Sequence, residues 1–403
     1  MNVPEIRFKE FCDYYSDVLL EKCLSVSNKK NNKLEYKKED ALSVSDEFGV
    51  VNQIEHLGRS YTGNNISTYK ILNKWQIVYT KSPLKLKPFG IIKVNNNKPG
   101  IVSVLYAIYD VKEGFDPNYI SVYFEPNFRL NKYLLPLINK GAKNTINISD
   151  ETALSGEVHI PLSYTEQQKI ASYFQSLDSL IQTTSKKLAS LKRIKAASLQ
   201  SMFPQEGETV PKVRFKGFEG EWEKIPFGSF LKESYERSTV ENEDILLSSA
   251  ITGVYLNSEL FGHQRGASNI GYKKIKKNML ILSTQNLHLG NANVNLKFEH
   301  GLISPAYKVY EIVNISPLFL QQWIKMDSTK VFFLNATTAG ASLCRKNIVW
   351  DDLYKQIVLI PSKNEQVKIG LFFSNLDKQI SLQTQRLEKL KQIKAACLDK
   401  MFV

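Results

Sequence analysis

The sequence predicts an α+β protein in which two mixed α/β domains alternate with two long helices. Three observations predict this order. Residues 166–203 recur without a gap as residues 365–402 at the end of the chain. The stretches before the two copies share short sequence marks in the same order, and short β-rich runs lie between those marks. A duplicated element of this length sets the architecture, so the chain reads as domain, helix, domain, helix.

This order gives four segments. They are a first domain over 1–162, a central helix over 163–204, a second domain over 205–361 and a C-terminal helix over 362–403. The two helices are much more alike than the two domains. This difference indicates that the helices perform the same role twice while the domains perform different ones.

Each helix copy carries a start signal and an apolar seam. Ser163 and Ser362 each precede a glutamate by three residues, which predicts a capping box in which the glutamate reaches back to the first residue. Apolar residues then recur at steps of three and four, as in a coiled coil or a narrow helix pair. Thr184 and Gln383 interrupt this seam at the same register, where a polar residue can fix the pairing at a cost in stability. The seam residues are Phe174, Leu177, Ile181, Leu188 and Leu191, then Phe373, Leu376, Ile380, Leu387 and Leu390, with Ile194 and Ile393 alongside.

Each helix would reach about 50 Å at ~1.5 Å per residue, and a seam of this length needs a partner. The other copy is the obvious partner, and related helices in related units most simply pack about a two-fold axis. Periodicity leaves open whether that axis runs along the helices or across them. It also leaves open that the repeat is only a structural hairpin in a multidomain protein.

The two domain segments share four marks, one of which is a Gly-apolar-apolar-Ser turn at 100–103 and 301–304 that leads into a strand ending in Tyr. Each opens on Val-Pro, followed after two residues by Arg-Phe-Lys, each approaches its helix through a Gly-Ala pair, and each closes on Ile-Pro. In chain order these other three marks lie at 3–11 and 210–218, at 141–142 and 340–341, and at 160–161 and 360–361. The clearest helical runs are 317–333 and its counterpart at 130–139.

Composition and charge narrow the class of protein. With 403 residues, 43% apolar and 23% charged, the chain has room for two or three folded domains. A net charge of +13 favours a polyanionic partner, most commonly nucleic acid, although excess lysine can also serve solubility alone. The longest apolar run, 101–109, is too short to span a bilayer, and no signal peptide opens the chain. The cysteines show no metal-ligand spacing, so we expect a reduced, cytoplasmic protein.

Two stretches resemble catalytic motifs but lack the residues that carry the chemistry. The glycines of 58–63 have the spacing of a phosphate loop without its Lys and Ser/Thr. Residues 116–119 read Asp-Pro-Asn-Tyr, close to the Asp-Pro-Pro-Tyr of adenine methyltransferases, without the second proline or a glycine-rich cofactor loop upstream. The histidines are dispersed. A basic, duplicated chain of this kind is more typical of a recognition module than of an enzyme.

Taken together, these features resemble the specificity (S) subunit of a type I DNA restriction-modification system. The resemblance is strongest in the duplicated helix, which runs from Glu-Gln-x-Lys-Ile to Met-Phe. Next comes the opening of the second domain, 210–222, which ends in Glu-Gly-Glu-Trp. The first domain opens more loosely, with Cys-Asp-Tyr-Tyr at 12–15 in the corresponding place.

The resemblance implies two target-recognition domains held apart by two antiparallel helices, in a chain that is not catalytic. It implies double-stranded DNA, two methyltransferase (M) subunits and restriction (R) subunits as partners. S-adenosylmethionine, magnesium and ATP would be used by those partners, and this chain would bind no cofactor. Each domain would read one half of a split DNA sequence.

Basic and amide side chains on loops are the candidates for contact with DNA, because Lys and Arg neutralise phosphates and Arg, Asn and Gln read base edges. The resemblance assigns this role to regions and not to single residues. In the first domain the candidates are Arg59, Tyr61, Asn64, Asn65, Lys81, Ser82, Lys85, Lys87, Lys143 and Asn144. In the second they are Gln264, Arg265, Lys273, Lys274, Thr284, Gln285, Asn286, His288, Arg345 and Lys346.

Two other functions are open at this point. A diverged single-chain enzyme would modify DNA without a partner. A basic coiled-coil scaffold would not bind DNA even with its partners.

Overall fold

A computed structural model describes residues 3–84, 86–140, 146–261, 268–342 and 345–403. The chain divides into two compact units. Unit 1 comprises Met1–Ser185 and Gln385–Val403, and unit 2 comprises Lys186–Thr384. Each unit therefore contains one domain, part of one long helix and part of the other.

In unit 1, strands and short helices precede the first long helix. The strands are β1 (Ser16–Leu19), β2 (Leu24–Val26), β3 (Leu42–Ser45), β4 (Gly49–Asn52), β5 (Lys70–Leu72), β6 (Ile77–Tyr79), β7 (Ile92–Val94), β8 (Gly100–Val102), β9 (Ala107–Val111), β10 (Asn139–Lys140), β11 (Ile146–Asn147) and β12 (Glu157–Ile160). The helices are α1 (Leu20–Cys23), α2 (Gln53–Leu57), α3 (Pro117–Tyr123), α4 (Asn127–Leu134) and α5 (Tyr164–Met202), of which α5 continues into unit 2.

Unit 2 repeats this order. Its strands are β13 (Glu223–Pro226), β14 (Leu231–Glu233), β15 (Leu246–Ala250), β16 (Gly253–Leu256), β17 (Lys273–Lys276), β18 (Leu280–Ser283), β19 (Ala292–Val294), β20 (His300–Ile303), β21 (Tyr307–Ile312), β22 (Thr337–Ser342), β23 (Arg345–Ile348) and β24 (Ile357–Ile360). Its helices are α6 (Asn257–Phe261), α7 (Pro317–Trp323), α8 (Asp327–Leu334), α9 (Trp350–Lys355) and α10 (Lys363–Lys400), of which α10 continues into unit 1.

The same antiparallel four-stranded sheet lies at the centre of each unit. Its strand order is β2-β9-β6-β7 in unit 1 and β14-β21-β18-β19 in unit 2. Tyr79 on β6 packs in the cluster that contains α3 and α4, whereas the neighbouring Val78 packs in a second cluster with Leu72 and Val102. Both faces of the sheet are thus covered, which explains why its strands are continuous apolar runs without alternation.

The remaining strands correspond as well, although unit 2 joins them more completely. Its strands form a second sheet of order β16-β15-β20-β17, whereas unit 1 has the separate pairs β3-β4 and β5-β8. An isolated antiparallel bridge joins Lys30 to Lys70 in unit 1 and Arg237 to Lys273 in unit 2. Lys70 and Lys273 are therefore equivalent positions.

The long helices pair in antiparallel fashion inside each unit, as the resemblance implies. In unit 1, Tyr173 contacts Cys397 through an oxygen–sulfur distance of 3.4 Å, and Asp178 pairs with Lys394 further along. In unit 2, Lys195 on α5 pairs with Asp377 on α10, and Phe203 contacts Phe373. The α+β fold with an antiparallel pair of duplicated helices is thus confirmed.

The predicted seam residues differ in burial along the helices. Those nearest the domains are the most covered, with Phe174 and Phe373 both 0% exposed. Leu177, Leu188, Leu191 and Leu376 are also buried, while Ile181, Ile380, Leu387 and Leu390 are half-buried. Ile194 and Ile393 are exposed, so their expected place beside the seam is wrong. Ile194 and Ile393 each follow a second successive step of three, which covers six residues instead of the seven of a heptad, so they have rotated out of the narrow two-helix seam.

The two glutamates of the expected capping boxes serve a different purpose. Ser163 Oγ does accept the N–H of Glu166, at 3.3 Å. The Glu166 and Glu365 carboxylates, however, do not reach back to the first residue of the helix. They bind arginines from the domain openings.

Candidate nucleic-acid interface and helix junction

The start of each long helix is joined to its domain by a buried ion pair. In unit 1, Arg7 donates from Nε and Nη2 to the two carboxylate oxygens of Glu166, at 2.7 and 2.8 Å. The next residue, Gln167, accepts the backbone N–H of Asp116 at 2.9 Å and donates to the carbonyl of Pro161 at 2.9 Å. Because the Glu166 side chain is 1% exposed, Arg7 is needed to neutralise it.

Unit 2 builds the same junction from equivalent residues. Arg214 donates to both oxygens of Glu365, at 2.9 and 2.6 Å. Gln366 accepts the N–H of Ser316 at 2.8 Å and donates to the carbonyl of Pro361 at 2.9 Å. The Arg-Phe opening, the Ile-Pro closing mark and the Glu-Gln start of the helix are thus parts of one structure in each unit, which we call the junction.

The Met-Phe end of the opposite helix copy completes each junction. Phe402, at the end of the chain, packs on Phe174 with ring centroids 5.9 Å apart. Phe203 packs on Phe373 at 6.1 Å and stacks on Phe319 at 5.5 Å. Each domain therefore holds the start of one helix and the end of the other.

A charged contact differs between the two units. In unit 1 the ammonium of Lys394 lies 2.5 Å from Glu125 and 2.6 Å from Asp178. Although burial opposes the charged form, these carboxylates raise the pKa of Lys394 above its usual value. Glu125 follows α3 by two residues.

The equivalent position after α7 in unit 2 is a lysine. Lys325 donates to the backbone carbonyls of Ile251 and Ala292, at 2.7 and 2.8 Å. Burial, with a smaller contribution from the charge of Lys195, lowers the pKa of Lys325 to about 8. The ammonium of Lys195 is itself paired with Asp377 at 2.5 Å.

The candidate DNA-contacting residues after α2 are exposed. The Arg59 guanidinium lies 4.6 Å from the centre of the Tyr61 ring, and Tyr61 is 58% exposed. Asn64 accepts a hydrogen bond from Lys38 at 3.3 Å, and the side-chain Oδ1 of Asn65 accepts from the backbone N–H and the hydroxyl of Ser67. An exposed cation stacked on an aromatic ring, beside two amides, can contact both phosphates and bases.

The second group of candidates in unit 1 is held by protein contacts. Lys81 pairs with Asp150 at 2.5 Å, and Lys87 pairs with Asp46 at 3.0 Å while donating to the carbonyl of Glu125 at 2.6 Å. Ser82 Oγ donates to the carbonyl of Thr80 at 3.2 Å. Lys85, Lys143 and Asn144 lie outside the described residues.

In unit 2 the candidate lysines on β17 are also paired. Lys273 is 6% exposed and lies 4.0 Å from Glu233, and its pKa is lowered mainly by burial. Lys274 pairs with Glu243. Gln264 and Arg265 lie outside the described residues.

The loop after β18 presents polar groups from a tight turn. Ser283 Oγ accepts the N–H groups of Gln285 and Asn286, at 3.4 and 3.1 Å, and the Gln285 side chain is exposed. Thr284 Oγ1 donates to the carbonyl of Ala306 at 2.9 Å. This turn exposes Gln285 as the candidate of this loop most available to a ligand.

His288, on the same loop, is 9% exposed, and neither ring nitrogen hydrogen-bonds to the part of the protein that the structure describes. Burial, and secondarily the charge of Lys346, lowers the pKa of His288 below its usual value. Lys346 is half-buried on β23, while the side chain of Arg345 is outside the described parts.

Sequence reasoning missed the acids that hold the candidate lysines, Asp150 and Glu233, and the arginines of the junction, Arg7 and Arg214. The arginines carried a usable signal, since both sit in the shared Arg-Phe opening and the glutamates they bind are both in the helix repeat. The two acids carried none, because they occupy unrelated sequence positions.

Metal and membrane features were sought over the described ranges. No group of three or more His, Cys, Asp and Glu side chains there is placed to hold a metal ion. None of the helices in these ranges has the length and apolar character that a membrane crossing requires.

Known proteins of the same architecture exist among solved structures. No protein-family model and no curated protein matches the sequence. The S subunit of a type I restriction-modification system from M. genitalium is similar over 100% of this chain and 99% of its own, with 12% identity and a TM-score of 0.58. The HsdS subunit from Thermoanaerobacter tengcongensis is 13% identical over 96% of both chains, with a TM-score of 0.43.

A further chain, from a study of complex assembly and conformational transition of the type I R-M system, is 13% identical, with a TM-score of 0.43. It covers 96% of this chain and 97% of its own. At 12% identity, the similarity to the M. genitalium subunit shows the fold alone. The chain has the two-domain, two-helix fold of a type I S subunit, as expected from its duplicated helix.

Proposed function

We propose that this chain is the DNA-recognition subunit of a type I restriction-modification complex. Each domain reads one half of a bipartite target, and the paired helices set the unread gap between the halves. The observation that carries this proposal is the contrast within each unit. The junctions are built from the same residues twice, whereas the equivalent loops after β6 and β18 carry Lys81 and Ser82 in unit 1 but Thr284 and Gln285 in unit 2.

The proposal includes partners. Two methyltransferase subunits dock on the chain, and restriction subunits join them in the full cytoplasmic complex. S-adenosylmethionine, magnesium and ATP belong to those partners, and this chain is the non-catalytic member. The net charge of +13 supports a role at the DNA, because Lys and Arg supply most of the affinity for the phosphate backbone.

Exchange of one domain tests the proposal. Residues 1–162 are replaced by the corresponding domain of another S subunit, and methylated adenines are mapped genome-wide in cells that carry the exchanged chain. We expect one half-site to change and the other half-site to stay the same, because each domain reads alone. Changed bases in both halves would contradict independent reading.

Methylation mapping also distinguishes a single-chain enzyme and a scaffold from a recognition subunit. Methylation that appears with this chain alone, without a methyltransferase subunit, would establish a single-chain enzyme. A methylation pattern that is unaffected by loss of the chain, together with no DNA binding by the assembled complex, would establish a scaffold.

A further inference from the structure

In each unit one carboxylate lies close to two lysines. In unit 1, Asp150 binds the ammonium groups of Lys70 at 2.9 Å and Lys81 at 2.5 Å. Asp150 follows β11 closely, so it lies at the base of the β10–β11 hairpin. The lysine side chains are 11% and 20% exposed, so they remain near the surface while engaged with the acid.

Unit 2 contains the same arrangement of charges. Glu233 binds Lys308 at 2.8 Å, and Lys273 lies 4.0 Å from its other oxygen. Trp350 and Tyr354, which follow the β22–β23 hairpin, lie against Lys308, with the ammonium 4.5 Å from the centre of the Trp350 ring. Each cluster has two cations and one anion, and so a net charge of +1.

The two clusters are assembled from different positions. Lys70 and Lys273 are equivalent, but Asp150 lies after β11 while Glu233 ends β14. The second lysine also differs, since Lys81 follows β6 and Lys308 lies on β21. A shared ancestor of the two domains accounts for the common lysine. It does not account for the acid or the second lysine, so the arrangement itself is what the two domains have in common.

The geometry of unit 1 includes a strained residue. Lys81 has a backbone φ of 49°, in the left-handed region, which a residue with a side chain rarely adopts. Although burial opposes ionisation of Asp150, hydrogen bonds from Lys70 and Lys81 lower its pKa, so the acid is charged at neutral pH. The ion pairs hold both ammonium groups at the acid.

We propose that Asp150 and Glu233 limit the electrostatic affinity of each domain for DNA, because they withhold Lys70, Lys81 and Lys308 from the backbone phosphates. This inference rests on the proposed function. Non-specific affinity comes almost entirely from Lys and Arg at phosphates, so each lysine that is withheld lowers it. Phosphate contacts do not depend on base sequence, so the two acids lower the affinity for cognate and non-cognate duplexes alike.

The test uses the complex of this chain with its methyltransferase subunits. Dissociation constants are measured for a cognate duplex and a scrambled duplex over a range of salt concentrations. Asp150→Asn and Glu233→Gln are each expected to tighten binding of the scrambled duplex about tenfold at low salt, with a salt slope steeper by about 1–2. Binding of the cognate duplex should tighten by a similar factor, because its phosphates are contacted in the same way.

Matched controls remove an exposed carboxylate of the same unit. Asp17→Asn in unit 1 and Glu311→Gln in unit 2 make the same change in net charge, and both carboxylates are about half exposed. If Asp150→Asn and Asp17→Asn shift the scrambled duplex equally, the effect is general electrostatics and the inference is overturned.

A variant of the lysine tests the inference even if Asp150→Asn fails to fold. Lys70→Met is expected to leave binding of the scrambled duplex unchanged, because that ammonium is engaged with Asp150. Weaker binding by Lys70→Met would overturn the inference. A wild-type complex that does not distinguish cognate from scrambled DNA would instead refute the proposed function.

Discussion

The two units of this chain share a junction and differ in almost everything that lies away from it. Arg7 and Glu166 in unit 1 form the same bidentate pair as Arg214 and Glu365 in unit 2. The loops that carry the candidate DNA contacts have no such correspondence. At the equivalent loops after β6 and β18, unit 1 has Lys81 paired with Asp150, whereas unit 2 exposes Gln285 on a tight turn. The contrast separates what holds a domain on the helices from what a domain presents to a ligand.

One contact near the junction shows that the units are not interchangeable even there. Glu125 attracts Lys394 in unit 1, while in unit 2 the pKa of the equivalent Lys325 is lowered by burial and, less, by the charge of Lys195. The helix lysines are equivalent, but the domains meet them with opposite charge. Each domain is therefore adapted to its own helix surroundings.

Lengthening the helices is expected to have the largest effect, because it changes which DNA is recognised. Seven residues inserted after Ser185 and seven after Thr384 keep the seam in phase and add about 10 Å, or about three base pairs at ~3.4 Å each. The gap between half-sites should widen while both half-site sequences stay the same. Mapping methylated adenines in cells that carry the variant measures both quantities.

The control inserts seven residues in α5 alone. The two helices then no longer match in length, and we expect methylation to be lost or strongly reduced. A double insertion that changes the half-site bases and keeps the original gap would rule out the helices as a spacer.

Breaking a junction is expected to have the next largest effect, and to be alike in the two units. Arg7→Met or Arg214→Met leaves a glutamate that is 1% exposed without its cation. Each change should lower the free energy of unfolding by about 3–5 kcal/mol. Urea denaturation measures the loss, and hydrogen exchange followed by mass spectrometry shows which unit opens.

Lys169→Met serves as the control, since Lys169 lies on α5, as Glu166 does, and forms an exposed ion pair with Glu10 of the domain opening. That change should cost less than about 1 kcal/mol. If the two arginine variants lose very different amounts of unfolding free energy, the two junctions are not equivalent.

The smallest effect on stability is expected at Lys325, whose equivalent position in unit 1 is the acid Glu125. Because the pKa of Lys325 is about 8 when folded and that of an unfolded lysine is near 10.5, the folded state binds fewer protons between these values. Unit 2 is therefore destabilised by this group below pH 8 and gains stability as pH rises towards 10.5. Between pH 7 and pH 9.5, Lys325 should raise the free energy of unfolding of the wild type by about 2 kcal/mol. Lys325→Gln should lack this increase.

The measured quantity is the change in the free energy of unfolding of each protein between pH 7 and pH 9.5. The loss of the hydrogen bonds to Ile251 and Ala292 affects the variant equally at both pH values, so it cancels from this change. Lys224→Gln, at an exposed lysine on β13, should show no such difference. A constant gap between Lys325→Gln and wild type at both pH values would mean that Lys325 is charged throughout.

Much of the helical architecture could be predicted, because the signal for it is local. The seam repeats every three or four residues, and Phe174 and Phe373 are buried as that spacing predicts. The role of Glu166 could not be predicted in the same way. Its local sequence suggests a cap, but its partner Arg7 lies in the domain opening, far away in sequence.

The candidate reading surfaces show the same limit more strongly. Lys81, Lys87 and Lys273 look like free loop lysines in the sequence, yet each is paired with an acid. The sequence shows only the residue type of each lysine and its position in a loop. It could not know that Asp150 or Glu233 would be brought beside it by the sheet.

By itself, the sequence determined the duplication, the helical period, the domain order and the basic charge, since all of these are properties of neighbouring residues or of simple sums. Only the tertiary structure decided that Arg7 and Arg214 anchor the helices and that Asp150 and Glu233 engage the lysines. The physical reason is that a buried charge selects its partner by distance in space, and chain separation places no limit on that choice.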